Sequence, residues 1–145
     1  MTSKPIAIDD FGATLEQILG SVGKKVQRGL PVVVSKGVKK GATEWRRNAR
    51  KEFPKGQTYR KHGKTYTSGD YAKSIRSHMV VRDGPRPSGE AGAPSMPGLP
   101  HLLELGHARV GGGRVQGREH IEPAAKAAFA FTKDAAEDMV KEALK

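Results

Sequence analysis

Histidine and glutamate side chains between residues 101 and 120 form the part of the sequence that is richest in possible metal ligands and proton-transfer groups. His101 and His107 are six residues apart with Glu104 between them, and His120 follows thirteen residues later. Two histidines and a carboxylate would suit zinc or non-haem iron in a hydrolase. A helical metal pair, however, is spaced i, i+4, and six residues of strand separate two side chains by about 20 Å. We therefore expect no metal and no cofactor, and keep a metal hydrolase only as an alternative.

Nucleophilic catalysis has no better support in the sequence. There is no cysteine, and no serine stands in a Gly-x-Ser-x-Gly elbow. The glycine run 111–113 leads into Arg114 instead of the Gly-Lys-Ser/Thr ending of a phosphate-binding loop. The absence of cysteine also excludes a disulfide framework and thiolate zinc sites. We expect no catalytic residues and no enzymatic activity.

Positive charge is concentrated in one segment of the chain. The 145 residues carry 26 Lys and Arg against 15 Asp and Glu, a formal net charge of +11. Residues 24–64 alone hold 14 basic side chains against Glu44 and Glu52, a net of +12. A field this concentrated attracts polyanions such as nucleic acid, although it could also be a solvated helix face that keeps the protein soluble. A small basic DNA-binding module is therefore an alternative function.

A long helical region over residues 10–53 is predicted to carry this charge. Asp9 or Asp10 can cap its start, and Pro31 predicts a break or kink near Gly29, which leaves one kinked helix or two consecutive helices. The apolar positions follow at spacings of three and four, which defines a buried stripe. They are Phe11, Leu15, Ile18, Leu19, Val22 and Val26, then Leu30, Val33 or Val34, Val38, Ala42, Trp45 and Ala49.

The middle of the chain alternates turn-rich segments with short extended ones. Residues 54–70 are predicted as a flexible loop or a short basic hairpin, and the proline-rich residues 83–100 as a second flexible loop. Between them, a strand after Ser74 follows one helical turn, with Ile75, Met79 and Val81 on one face. Glycines 111–113 predict a hairpin tip, and residues 115–121 its returning strand.

The last helix begins near Pro123, a residue that favours the first turn of a helix. Its apolar stripe comprises Ala128, Phe131, Ala135, Met139, Val140 and Leu144. The sequence thus predicts a single α+β domain over residues 1–145, with a long kinked N-terminal helix region, a small antiparallel sheet with a glycine-rich hairpin, and a C-terminal helix. No apolar run approaches the roughly 20 residues of a membrane span, and no secretory signal is present. We expect a soluble, cytoplasmic product without membrane contact.

Residues 101–123 have a more specific pattern, reading HLLELGHARVGGGRVQGREHIEP. This string resembles a signature of the head–tail joining, or tail-completion, proteins of long-tailed bacteriophages, also described as minor tail or gene-product-ten-like proteins. In that family a Thr-His-Leu-Leu-Glu-x-Gly-His element precedes a glycine-rich tip and a His-Ile-x-Pro-Ala entry to the final helix. Here Pro100 replaces the usual Thr, and Glu119 stands where Pro is common. Upstream, residues 67–74 (TSGDYAKS) are similar to the family's Thr-Gly-x-Tyr-Ala-Lys element.

The resemblance implies a structural assembly protein of the virion neck, assembled in the host cytoplasm. Such a subunit would join the capsid connector to the tail around the DNA channel. Its implied partners are further copies of itself in a ring, connector or stopper proteins, tail terminator or tail tube proteins, and DNA bound without sequence preference.

The resemblance and the charge pattern together suggest roles for three groups of residues. The basic block Lys39, Lys40, Arg46, Arg47, Arg50 and Lys51 would face DNA or an acidic partner. A polar network of Glu104, His107, Arg114 and His120 would fix the hairpin against the last helix or a neighbour. Leu102, Leu103 and Leu105, with Trp45, would anchor the core, because alternate apolar residues of a strand bury one face.

Overall fold

The structure, a computed structural model, describes residues 8–53 and 58–145. Helices and short strands combine in an α+β fold, as predicted. The helices are α1 (Ile8–Glu52), α2 (Ser68–Ser74), α3 (Leu99–Leu105) and α4 (Glu122–Ala143). The strands are β1 (Thr58–Lys61), β2 (Lys64–Thr67), β3 (Arg76–Val81), β4 (Ser88–Gly92), β5 (Gly106–Ala108) and β6 (Arg114–Gln116).

Helix α1 is continuous over 45 residues and contains Pro31 in its interior. At 1.5 Å per residue it extends about 67 Å. Of the two alternatives predicted for residues 10–53, a single helix is therefore confirmed and two consecutive helices are wrong. Proline removes only one backbone hydrogen bond, to the carbonyl of Gln27, and α1 packs against α4 on both sides of this position, at Gly29 and at Gly37. Tertiary packing outweighs the local preference for a break.

Glycines on α1 allow α4 to approach closely. The α-carbons of Gly29, Gly37 and Gly41 face Met139, Thr132 and Ala128 respectively, so the two helices run antiparallel. A Cβ built on Gly41 would lie 3.1 Å from Cβ of Ala128.

The sequence identified the start of α4 correctly but its buried face only in part. Ala124 and Ala143 are buried, and Ala128, Ala135 and Met139 are half-buried. Three members of the predicted stripe, Phe131, Val140 and Leu144, are exposed, because the contact follows the closely packed small residues at spacings of four.

The strands form three separate antiparallel pairs, β1–β2, β3–β4 and β5–β6. The basic hairpin predicted within residues 54–70 is present as β1–β2, and its turn places His62 and Gly63 at positive φ. Residues 54–57 of that predicted segment lie outside the described part of the chain. The glycine-rich hairpin is present as β5–β6, with Gly111, Gly112 and Gly113 all at positive φ, a conformation that suits glycine. Its returning strand ends at Gln116, short of the predicted 115–121.

The segment 83–100 is not simply a loop, because it contains β4 and the start of α3. Strand β4 pairs with β3, which follows α2 as predicted. Ile75 is buried and Met79 half-buried, but Val81 is exposed, since the register shifts between Met79 and Val81.

The core is small and lies where α1, α2, α3 and the start of α4 meet. Trp45 is buried in it, as predicted, together with Tyr71 and Ile75. Leu103 packs against this cluster, but Leu102 and Leu105 are 44% and 67% exposed. Residues 99–105 form a helix instead of a strand, so only one side of the segment turns inward. The prediction that Leu102 and Leu105 anchor the core is wrong.

Candidate partner-binding surface

A chain of hydrogen bonds crosses the core and fixes α1 to the elements beneath it. Nε1 of Trp45 donates to the Tyr71 hydroxyl at 3.0 Å, and that oxygen lies 2.7 Å from Nε2 of His120. An indole N–H can only donate, so the tyrosine hydroxyl accepts from it. Nδ1 of His120 lies 2.8 Å from both the Arg118 carbonyl oxygen and Oε2 of Glu104, which can only accept, so Nδ1 donates on this side of the ring.

Trp45 belongs to α1 and Tyr71 to α2, whereas His120 lies in the segment between β6 and α4. Tyr71 belongs to α2, whose first turn is closed by a capping box between Thr67 and Asp70. The hydrogen bonds from Thr67 to the Asp70 carboxylate lower the pKa of Asp70. His120 is fully buried and packs edge-on against Phe53 and Tyr71, with ring centroids 5.1 and 5.6 Å away.

Glu104 closes the N-terminus of α4 from outside that helix. Its carboxylate accepts hydrogen bonds from the backbone N–H groups of His120, Ile121 and Glu122, at 2.8, 3.0 and 3.0 Å. A carboxylate at this position satisfies free N–H groups and interacts favourably with the helix dipole. Desolvation of the partly buried side chain raises the pKa of Glu104, but the three backbone hydrogen bonds together outweigh it, so the pKa is lowered from 4.5.

Replacement of Glu104 by glutamine should destabilise the fold in a pH-dependent way. The variant loses the charge-assisted hydrogen bonds, which should cost about 2 kcal/mol at pH 7. A carboxylate whose pKa is lowered on folding stabilises above its ordinary pKa, and this contribution is lost as pH falls through the folded pKa. Urea unfolding at pH 7 and pH 3 should therefore show a gap between wild type and Glu104→Gln that shrinks at pH 3.

The neighbouring Glu119→Gln variant is the matched control, because Glu119 is exposed and forms no ion pair within the described ranges. It should unfold like the wild type at both pH values. An equal gap for Glu104→Gln at pH 7 and pH 3 would contradict the capping role.

Only part of the predicted polar network comes together. Glu104 and His120 are joined as described, whereas Arg114 donates to the carbonyl of Leu105, the last residue of α3, at 3.0 Å. His107 is not part of the network, since its buried Nδ1 has no hydrogen-bond partner in the part of the chain that the structure describes. Across residues 8–53 and 58–145, no group of three His, Asp or Glu side chains is placed to hold a metal ion.

The predicted basic block divides into side chains with structural partners and side chains without them. Lys40 and Arg47 lie 2.9 and 2.5 Å from the carboxylate of Glu44, whose pKa is lowered first by the hydrogen bond from Lys40. Arg46 donates through Nε and Nη2 to the carbonyl of Ile75, at 3.0 and 2.8 Å. Arg46 thus connects α1 to the residue that precedes β3, so its guanidinium has a structural partner within the protein.

Lys39, Arg50 and Lys51 are exposed and form no ion pair within the described residues, and four further cations of α1 share this property. At 100° per residue, six of these seven side chains fall within about 120° of the helix circumference. Neither Glu44 nor Glu52 projects into this sector. We call these six residues the basic face: Lys24, Lys25, Arg28, Lys36, Lys39 and Arg50.

Sequence reasoning named Lys39 and Arg50 of the basic face and missed Lys24, Lys25, Arg28 and Lys36. Their signal was present in the sequence, because cations repeat with the helical period from residue 24 to residue 50. The net charge of residues 24–64 does not distinguish the cations of this face from Lys40 and Arg47, which pair with Glu44.

Exposed apolar side chains are present on both long helices. Leu15, Ile18 and Leu19 on the first half of α1 are 44–60% exposed, although they belong to the stripe predicted as buried. On α4, Phe129 is 73% exposed. Large apolar groups exposed together typically mark surfaces that contact other proteins.

No helix among the described residues has the length and hydropathy needed to cross a membrane. Helix α1 therefore carries one extended cationic face. The same helix packs against a small core in which the ring of the buried His120 is fully hydrogen-bonded. A scan against protein-family models, a search of curated proteins and a search of solved structures each gave no match to this chain.

Proposed function

We propose that the chain is a structural assembly protein of the neck of a long-tailed phage, which joins the capsid connector to the tail around the DNA channel. The observation that carries this proposal is the basic face, six exposed cations on one side of α1 without ion-pair partners in the described residues. Such a face suits a polyanion or an acidic protein surface. The resemblance of residues 101–123 to head–tail joining proteins directs the proposal to the phage neck.

Exposed apolar groups support association with further subunits. Leu15, Ile18 and Leu19 have no tertiary cover in the described residues, because α4 ends with Ala143 and the first part of α1 extends past it. Neighbouring copies in a ring, or connector, stopper, terminator and tail tube proteins, would cover this surface. The side chains that could do chemistry have structural duties instead: His120 is saturated with hydrogen bonds and Glu104 caps α4.

Reversal of charge on the basic face should block assembly while leaving the fold intact. The variant Lys36→Glu/Lys39→Glu/Arg50→Glu avoids Arg46 and Arg47, whose side chains have partners within the protein. In complementation of a phage or prophage that lacks this gene, we expect unjoined heads and tails and a loss of infectious titre. Circular dichroism should show an unchanged helix content.

The control for net charge reverses three exposed cations of the C-terminal region, each of which forms a surface ion pair three or four residues away: Lys133→Glu/Lys141→Glu/Lys145→Glu. It makes the same change in net charge and should give normal titre. Normal particle assembly by the basic-face variant would refute the proposed role. If the pure protein instead binds duplex DNA tightly with a steep loss of affinity as salt rises, and particles mature without it, the alternative of a free DNA-binding module is correct.

A further inference from the structure

A polar cleft of about 130 Å³ lies between α1 and β3, at the edge of the basic face. Ser35 and Lys39 line it from α1, one helical turn apart, and Ser77 lines it from β3. Arg82 lies just beyond the end of β3 and completes the set. Four residues with side-chain donors, from α1, from β3 and from the segment after β3, therefore line one small cleft.

These donors have no partners inside the protein. Lys39 and Arg82 form no ion pair, and the hydroxyls of Ser35 and Ser77 form no hydrogen bond, within residues 8–53 and 58–145. A hydroxyl on a helix commonly bonds the carbonyl of the preceding turn, as Thr43 and Thr132 do at 2.9 and 2.7 Å. Ser35 does not, although it is half-buried, so its donor remains available to a ligand.

The charge around the cleft favours an anion. Two cations and no carboxylate line it, and His78 adds an imidazole whose Nε2 lies 3.2 Å from Oε1 of Glu90 outside the cleft. Val38 and Met79 are the apolar residues that line it. The guanidinium fork of Arg82, the point charge of Lys39 and two hydroxyls match the several acceptor oxygens of a tetrahedral oxyanion.

We propose that this cleft binds a phosphate group. Because Lys39 belongs to both the cleft and the basic face, a phosphodiester of the DNA backbone can reach the cleft along that face. The identification of DNA as its source rests on the proposed function, whereas phosphate binding itself does not. Free phosphate has the same chemistry and is the other possible source.

The test uses the Ser35→Ala/Ser77→Ala variant, which changes no charge. Two hydrogen bonds to a charged acceptor are lost, so affinity for a short DNA duplex should fall about tenfold or more at fixed salt. Diffuse attraction to the basic face alone predicts unchanged affinity. The Ser21→Ala variant is the control, because the Ser21 hydroxyl bonds the Ile18 carbonyl at 2.8 Å and lies outside the cleft.

Nuclear magnetic resonance titrations with inorganic phosphate and with the duplex separate the two sources. Amide shifts at residues 35, 39, 77 and 82 with both probes indicate a general phosphate site, and shifts with the duplex alone indicate the DNA backbone. Shifts with inorganic phosphate alone, together with duplex affinity unchanged in Ser35→Ala/Ser77→Ala, would identify free phosphate as the source and refute DNA. No shift at these residues with either probe would overturn the proposal.

The outcome is separable from that of the proposed function. If neither probe shifts residues 35, 39, 77 and 82 while reversal of the basic face still blocks assembly, the cleft is refuted and the neck role stands. If the serine variant weakens binding while particles with the reversed basic face mature, the cleft stands and the neck role is refuted.

Discussion

Trp45→Ala should lower the free energy of unfolding by about 4 kcal/mol, a large part of the stability of a domain this size. Trp45 is 6% exposed and lies at the centre of the core cluster, so its removal leaves a cavity. It also removes the donor to Tyr71, whose hydroxyl connects to His120. Urea unfolding followed by circular dichroism measures the loss.

Trp45→Phe separates packing from hydrogen bonding. The variant keeps most of the apolar surface but lacks the N–H, so it should lose about 1–2 kcal/mol. If Trp45→Phe and Trp45→Ala were equally destabilised, packing would not be the main contribution of this residue. If Trp45→Ala lowered the free energy of unfolding by less than about 1 kcal/mol, Trp45 would not lie at the centre of the core.

Gly37→Ala should destabilise the protein by about 2–3 kcal/mol, although alanine is the better helix former. Gly37 is buried where α1 crosses α4, and a Cβ there would overlap Oγ1 of Thr132. Thr132 is branched and its hydroxyl bonds the Ala128 carbonyl at 2.7 Å, so it cannot move aside freely. Trp45 is the sole tryptophan, and its fluorescence reports the unfolding directly.

Gly20→Ala is the matched control, because it makes the same substitution on α1 at a position where the added Cβ contacts no other residue. Nothing lies within 4 Å of a Cβ at Gly20, so this variant should be stabilised by up to about 1 kcal/mol. Adding Thr132→Ala to Gly37→Ala should recover part of the loss, because the two sites are in contact. If Gly37→Ala and Gly20→Ala changed stability by the same amount and sign, the helix pairing described for α1 and α4 would be wrong.

The elements that sequence identified are those with strong local signals. Pro123 and the alanine-rich run specify α4, and the glycines at 111–113 specify a turn that needs positive φ. Helix α4 and this turn are both specified by residues that are adjacent in the chain. The fold class followed from these signals.

The features of the fold that the sequence did not predict depend on contacts between segments that are distant in the chain. Strand β4 (SGEAG) has low intrinsic strand propensity and forms because β3 pairs with it and α1 covers one face. Helix α1 continues through Pro31 because α4 packs beside it. The inward direction of Arg46 depends on the carbonyl of Ile75, 29 residues later.

The candidate surface was likewise predictable only in part. The excess of positive charge in residues 24–64 is evident from composition, and the helical period places the cations of the basic face together. The pairing of Lys40 and Arg47 with Glu44 also follows a helical spacing. The bonds of Glu104 to residues 120–122, and of Tyr71 to His120, join segments 16 to 49 residues apart and have no local signature.

Electron cryo-microscopy of particles assembled with this chain tests the central claim most directly. The neck role predicts density for this fold between the capsid connector and the tail, with Lys36, Lys39 and Arg50 directed at DNA or at an acidic surface of a neighbouring subunit. A neck that is complete without this chain, or a bound subunit whose basic face points into open solvent, would contradict it.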